Sequence, residues 1–150
     1  DKRIDVIATA MAGGLTACDL ADLELAYAPQ FGSAKDPVNM LGFIAENMHR
    51  GLVDTVQWWE LADVVAAGAR VIDVRTREEF DESPLPGALN IPVDELRERA
   101  DELPAGRLVV SCAAGQRGNT AVRLLTQRGH EAANLDGGYI TWRNSPAAGA

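Results

Sequence analysis

Cys112, Ala113, Ala114, Gly115, Gln116 and Arg117 form a stretch whose residue types suit thiol chemistry. It follows the apolar run Leu108-Val109-Val110-Ser111 and precedes a helical pattern marked by Ala121, Val122, Leu124 and Leu125. That order places a thiol at the carboxyl end of a buried strand and under a helix N-terminus, the edge of a parallel sheet where ligands gather. A helix N-terminus carries about half a positive charge and N–H groups with no partner inside the helix. Both stabilise a thiolate, which makes Cys112 a candidate nucleophile. Small side chains let the loop curl with its N–H groups inward as an anion nest, and Arg117 adds a permanent positive charge at the rim. A persulfide on the same sulfur is stabilised in the same way. Asp73 and Arg75 end a predicted strand at this sheet edge, where either a salt bridge fixing the loop base or direct substrate contact fits them. Gln116 either lines the pocket mouth or faces water.

Other chemistries fit less well. Four residues separate Cys112 from Arg117. Phosphatase and arsenate reductase loops are one residue longer, and the shorter ring suits one sulfur atom better than a tetrahedral oxyanion. Gly115 to Thr120 lacks the lysine and the spacing of a phosphate-binding P-loop. The second thiol, Cys18, lies between Ala17 and Asp19 without a cationic neighbour and reads as idle. With only His49 and His130 besides, no metal site is expected, and two distant thiols point to a reducing cytoplasm rather than a disulfide scaffold. A net charge of −8 with no clustered basic face excludes nucleic acid and disfavours an anionic membrane surface. No run approaches the roughly 20 apolar residues that span a bilayer. The opening Asp1-Lys2-Arg3 has neither a start methionine nor the apolar core of a signal peptide, so a processed chain or a piece of a longer one is expected.

The elements that must position the loop fall into two unlike parts. Residues 53–150 alternate strands and helices. Thr55–Trp58, Arg70–Val74, Leu108–Ser111 and Ala132–Leu135 read as strands, the valine-rich ones as buried parallel strands. Leu61–Ala67, a segment marked by Val93, Leu96, Ala100 and Leu103, the helix after the loop, and a short helix bearing Trp142 lie between or after them. Glu95 to Glu102, with Arg97 and Arg99, reads as a solvated helix face with i,i+4 pairs. Trp58, Trp59 and Trp142 are expected to pack. This alternation predicts an α/β domain with helices on both faces of a mainly parallel sheet. Ala147–Ala150 reads as a frayed tail. Residues 1–52 carry only short helices: a stripe of Ile4, Val6, Ile7, Ala10 and Met11, a second helix capped by Asp19, and a third started by Asp36-Pro37 and ended at Gly51. That is too little apolar material for an independent domain.

Four motifs in register resemble a rhodanese domain: Val71 to Phe80, Pro86-Gly87-Ala88-Leu89-Asn90-Ile91-Pro92, Cys112 to Gly118, and Leu135-Asp136-Gly137-Gly138-Tyr139 with Trp142. The resemblance implies a sulfurtransferase in which Cys112 takes a sulfane sulfur as Cys–S–SH from thiosulfate, a persulfide or a polysulfide and passes it to a thiol acceptor. It also implies that residues 112–117 are the active loop. One departure is Glu82-Ser83-Pro84-Leu85, where the family often has Gly-His before the Pro-Gly-Ala. A rhodanese-like module that only binds partners is the non-enzymatic alternative, and the retained Cys112 counts against it.

Leu25 to Met40, with Tyr27-Ala28-Pro29-Gln30-Phe31-Gly32 at its centre, resembles the end of the dimerisation domain of flavin-dependent CoA-disulfide reductases. That resemblance implies a parent enzyme using FAD, NAD(P)H and CoA to reduce CoA disulfides, persulfides or polysulfides. In such a parent Tyr27 reaches the partner subunit's flavin-side cysteine; in this chain it has no role. No Gly-x-Gly-x-x-Gly is present, so the FAD and NAD domains are absent here. Residues 1–52 are then a remnant, and their apolar stripes suit a homodimer.

Overall fold

The computed structural model describes residues 2–149, which divide between Leu52 and Val53 into two compact units. In the second unit, five strands form one all-parallel sheet: β1 (Asp54–Val56), β2 (Arg70–Asp73), β3 (Leu89–Asn90), β4 (Leu108–Ser111) and β5 (Ala132–Leu135). Their order is β1-β5-β4-β2-β3, so β4 is the central strand. Val71 pairs with Val109 and Ile72 with Val110, and the alternation of side chains sends each pair to a different face. One face holds Ile72, Val110, Leu108 and Cys112 against Ala121, Val122 and Leu125 of α5 (Gln116–Gln127) and against Leu96. The other holds Val71, Val109, Ala133 and Leu135 against Leu61 of α3 (Leu61–Ala66) and against Tyr139 and Trp142 of α6 (Gly138–Arg143). Helices on both faces of a parallel sheet are the architecture expected from the alternation.

Local details differ. The segment from Val93 to Leu103 is a chain of tight turns ending in a short 3-10 helix, Ala100–Glu102, not an α-helix. Ile91 and Val93 donate to the Asp73 and Val74 carbonyls, at 3.0 and 3.1 Å, which holds the segment's start on the sheet edge. Spacings of three and of 3.6 cannot be told apart over so few apolar positions. The expected ion pairs exist but converge on Arg99, which reaches Glu95 at 2.8 Å and Glu102 at 2.6 Å. An unforeseen helix, α4 (Arg77–Glu82), opens with a capping box in which Thr76 and Glu79 satisfy each other's backbone N–H. The short strand β3 was equally unforeseen. Trp59 is 60% exposed, stacked edge-on with Trp58, so it does not fill the core as expected. Pro146–Gly149 is a 3-10 turn rather than a frayed tail, and Ala150 lies outside the described residues.

The first unit contains α1 (Lys2–Ala12), a 3-10 helix Cys18–Asp22 and α2 (Pro37–His49). Asp36 caps α2 by accepting from the Val38 N–H at 3.0 Å, and Gly51 ends it with φ +63°. Asp19 does not cap a helix; it accepts from the Thr16 N–H and hydroxyl, each at 2.7 Å, and shapes the preceding turn. Gly42 has no room for a side chain, since a Cβ would lie 2.6 Å from the Leu20 carbonyl carbon. The buried core is Ala10, Leu20 and Val38, while Ile4 and Met11 of the predicted stripe are more than two-thirds exposed. Among the described residues no helix is long and apolar enough to cross a membrane.

Candidate active site

Cys112 follows the last residue of β4 and is 1% exposed. The loop after it turns at Gly115, whose φ of +100° lies in the left-handed region that a residue with a Cβ rarely adopts. This conformation aims the Gly115 N–H at the sulfur, Sγ accepting at 3.1 Å, and Gly115 is also the N-cap of α5. The nest read from the small residues therefore has one amide in hydrogen-bond contact with the thiol. Ala113 and Gly115 are half-buried, while Ala114 and Gln116 are exposed, so Gln116 faces water.

Two further elements brace the loop. At the start of α6, the Tyr139 N–H donates to the Cys112 carbonyl at 2.7 Å and the Ile140 N–H to the Ala113 carbonyl at 3.0 Å. Gly138, at φ +60°, lies so close that a Cβ would run into the Cys112 carbonyl oxygen and sit 2.9 Å from that of Ala113. From β5, the Asn134 amide donates to the Gly115 carbonyl at 3.3 Å, and Gly118 packs on the same side chain. Asn134 was missed from sequence, although an amide inside the buried run Ala132–Leu135 is itself a signal of a polar task.

Asp73 and Arg75 form a buried ion pair, 2.7 Å at its shortest, 0% and 3% exposed. Arg75 also donates to the Glu79 carbonyl at 3.2 Å and the Ser83 carbonyl at 2.9 Å, and its guanidinium lies 4.1 Å from the Tyr139 ring centre. The pair forms the salt bridge that was one of the two expectations for it, and Arg75 ties the end of β2 to α4. Arg117 stands at the loop's end, but its guanidinium is taken: it donates to both Glu79 carboxylate oxygens, at 2.6 and 2.7 Å. That bond, reinforced by the Thr76 N–H and the Arg117 and Arg75 charges, lowers the Glu79 pKa from the usual 4.5 to about 2 against its desolvation. The Glu79 hydrogen bond also raises the Arg117 pKa, with Cys112 adding to the rise at longer range. Glu79 was not foreseen, because its partner lies 38 residues away in the chain.

Tyr27 and Cys18 lie in the first unit, Tyr27 59% exposed and Cys18 a half-buried free thiol. Among the described residues no group of three His, Cys, Asp or Glu side chains converges as a metal site would require. The glycine loop between β4 and α5 closes on its own cysteine sulfur.

Residues 58–145 match the family model of the rhodanese-like domain. The chain belongs to the rhodanese-like domain family. Its rhodanese unit is 38% identical over 105 residues to human thiosulfate:glutathione sulfurtransferase, a match covering 59% of this chain and 91% of that one. The whole chain is similar to the reduced CoADR-RHD of Bacillus anthracis, at 48% identity and TM-score 0.92 over 95% of this chain and 26% of that one. It is also similar to an NAD-dependent persulfide reductase from A. fulgidus, at 42% identity and TM-score 0.80 over 94% of this chain and 25% of that one. The chain thus spans about a quarter of both reductases, and 49% of the length of a further curated relative, an HTH-type transcriptional regulator. A rhodanese-like unit preceded by a segment with reductase relatives is the organisation that the two sequence resemblances imply.

Proposed function

We propose that this rhodanese-like unit is a sulfurtransferase that carries sulfane sulfur on Cys112. The observation that supports it is the Gly115 N–H held 3.1 Å from the Cys112 sulfur at the N-terminus of α5. The Cys112 thiolate attacks the outer sulfur of a small donor (thiosulfate, a persulfide or a polysulfide). The donor's S–S bond breaks as the Cys112 S–S bond forms, and the donor's remainder leaves as sulfite or a thiolate. An acceptor thiolate then attacks the outer sulfur and returns Cys112 to the thiolate. Gly115 and the α5 N-terminus hold the anionic sulfur throughout. Mass spectrometry after incubation with thiosulfate or polysulfide tests this: one added sulfur is expected on the Cys112 peptide and none on Cys112→Ser. Loading that survives the substitution would overturn the assignment, and hydrolysis of an aryl phosphate would favour the phosphatase reading.

The likeness to the two reductases over nearly the whole chain supports a second level of the reading. Cys112 serves as the sulfur-carrying centre of a longer cytoplasmic reductase whose FAD, NAD(P)H and CoA sites lie in other parts of that enzyme, with Tyr27 reaching toward the partner subunit's flavin site in a homodimer. Persulfide reduction by the full-length enzyme should fall when Cys112 is replaced by serine. Equal rates with every donor would separate the two centres.

A further inference from the structure

The charges around the loop are arranged in compensated pairs. Arg117, the cation that closes the loop, spends both of its terminal nitrogens on Glu79. Glu79 cannot easily swing away, because the same carboxylate accepts from the Thr76 N–H at 2.9 Å as the N3 member of the α4 capping box. Arg75 is paired with buried Asp73, and Arg77 with Glu95 at 2.9 Å. The loop side chains themselves, from Ala113 to Gln116, are uncharged. Arg143 of α6 is exposed and lies 5.9 Å from the Tyr139 ring centre. An incoming donor therefore meets backbone dipoles, ion pairs and, at the α6 side, exposed Arg143, within a chain whose net charge is −8.

Resting on the sulfurtransferase reading above, we infer that Glu79 is a positioning residue that sets donor specificity: by neutralising Arg117 it selects alkyl persulfides over thiosulfate. Attack on thiosulfate brings a dianion against a thiolate and expels sulfite as a dianion, so the transition state needs a free cation. Attack on the outer sulfur of R–S–S⁻ brings up a single negative charge at the reacting sulfurs, breaks the S–S bond, leaves Cys112 as Cys–S–S⁻ and expels one monoanionic thiolate. The Gly115 N–H and the α5 N-terminus suffice for that smaller charge. The compensated Arg117 penalises thiosulfate and leaves the persulfide almost untouched.

Glu79→Gln is the discriminating variant. Glutamine still accepts from the Thr76 N–H, so α4 keeps its cap, but the Arg117 charge is released. Steady-state transfer to a thiol acceptor should show kcat/KM for thiosulfate rising by about tenfold in Glu79→Gln, with glutathione persulfide changing by less than about twofold. The thiosulfate gain should shrink with added salt. It should disappear in the double variant Glu79→Gln/Arg117→Gln, which shows that it acts through the arginine. A thermal melt within a few degrees of the parent protein confirms that the comparison is between folded proteins. An unchanged thiosulfate-to-persulfide ratio in folded Glu79→Gln, a parent protein that already prefers thiosulfate, or a gain that survives loss of Arg117 would overturn the inference while leaving sulfur transfer by Cys112 intact. Failure of Cys112 to load from any donor would instead overturn the reading on which it rests.

Discussion

Cys112 is set by few contacts: one amide, one helix terminus and a floor of backbone carbonyls claimed by α6. Gly138 provides the closest test of that floor. Gly138→Ala requires a left-handed backbone and forces its methyl against the Cys112 carbonyl. It should cost about 1–3 kcal/mol and slow sulfur loading, as read by denaturant melts and single-turnover mass spectrometry. Asp73 is the other sensitive point. Its removal in Asp73→Ala leaves Arg75, 3% exposed, as a buried charge without its carboxylate. A loss of about 3–5 kcal/mol in a urea titration is expected, and Asp73→Asn should lose less because the amide oxygen still accepts.

An element that sequence reading missed, α4, supplies the carboxylate that pairs with Arg117. Its start signal, Thr76-x-x-Glu79, was present in the sequence, but a six-residue helix with no buried residue carries no periodicity to reinforce it. Thr76→Ala should destabilise the rhodanese unit by about 1 kcal/mol in thermal melts. The pH dependence follows from Glu79: its pKa in the folded protein is lowered to about 2, below the usual 4.5. The stabilisation is thus fully present above about pH 5 and is lost as the pH falls through 2. Acid titrations of Glu79→Gln should therefore show a shallower fall in stability over that window than those of the parent protein. The elements with strong local signals were legible: β4, β5, the Asp36-Pro37 start of α2 and the glycine-rich turn after Cys112. What stayed hidden was tertiary. The Arg117–Glu79 and Asn134–Gly115 contacts join distant parts of the chain, and the turns from Val93 to Leu103 mimic a helix in their apolar spacing.

At the scale of the molecule, the two units differ in how much they can bury. The rhodanese unit has two apolar layers, one on each face of its sheet, whereas the first unit centres on Ala10, Leu20 and Val38 and leaves Phe31 89% exposed. Residues 53–150 expressed alone should melt cooperatively and still load sulfur on Cys112, while residues 1–52 alone should show no cooperative transition by circular dichroism. The strand order has a further consequence, for biosynthesis. β1 is bonded only to β5, so the first strand made waits for the last, and Asn134, Gly138 and Tyr139 are all synthesised after Cys112. A nascent chain emerging from the ribosome therefore presents a bare thiol whose surroundings do not yet exist. Until β5 and α6 follow it out, that cysteine lacks the contacts from Asn134, Gly138 and Tyr139 that brace its loop and is open to oxidation. The setting of Cys112 is complete only once β5 and α6 have been made.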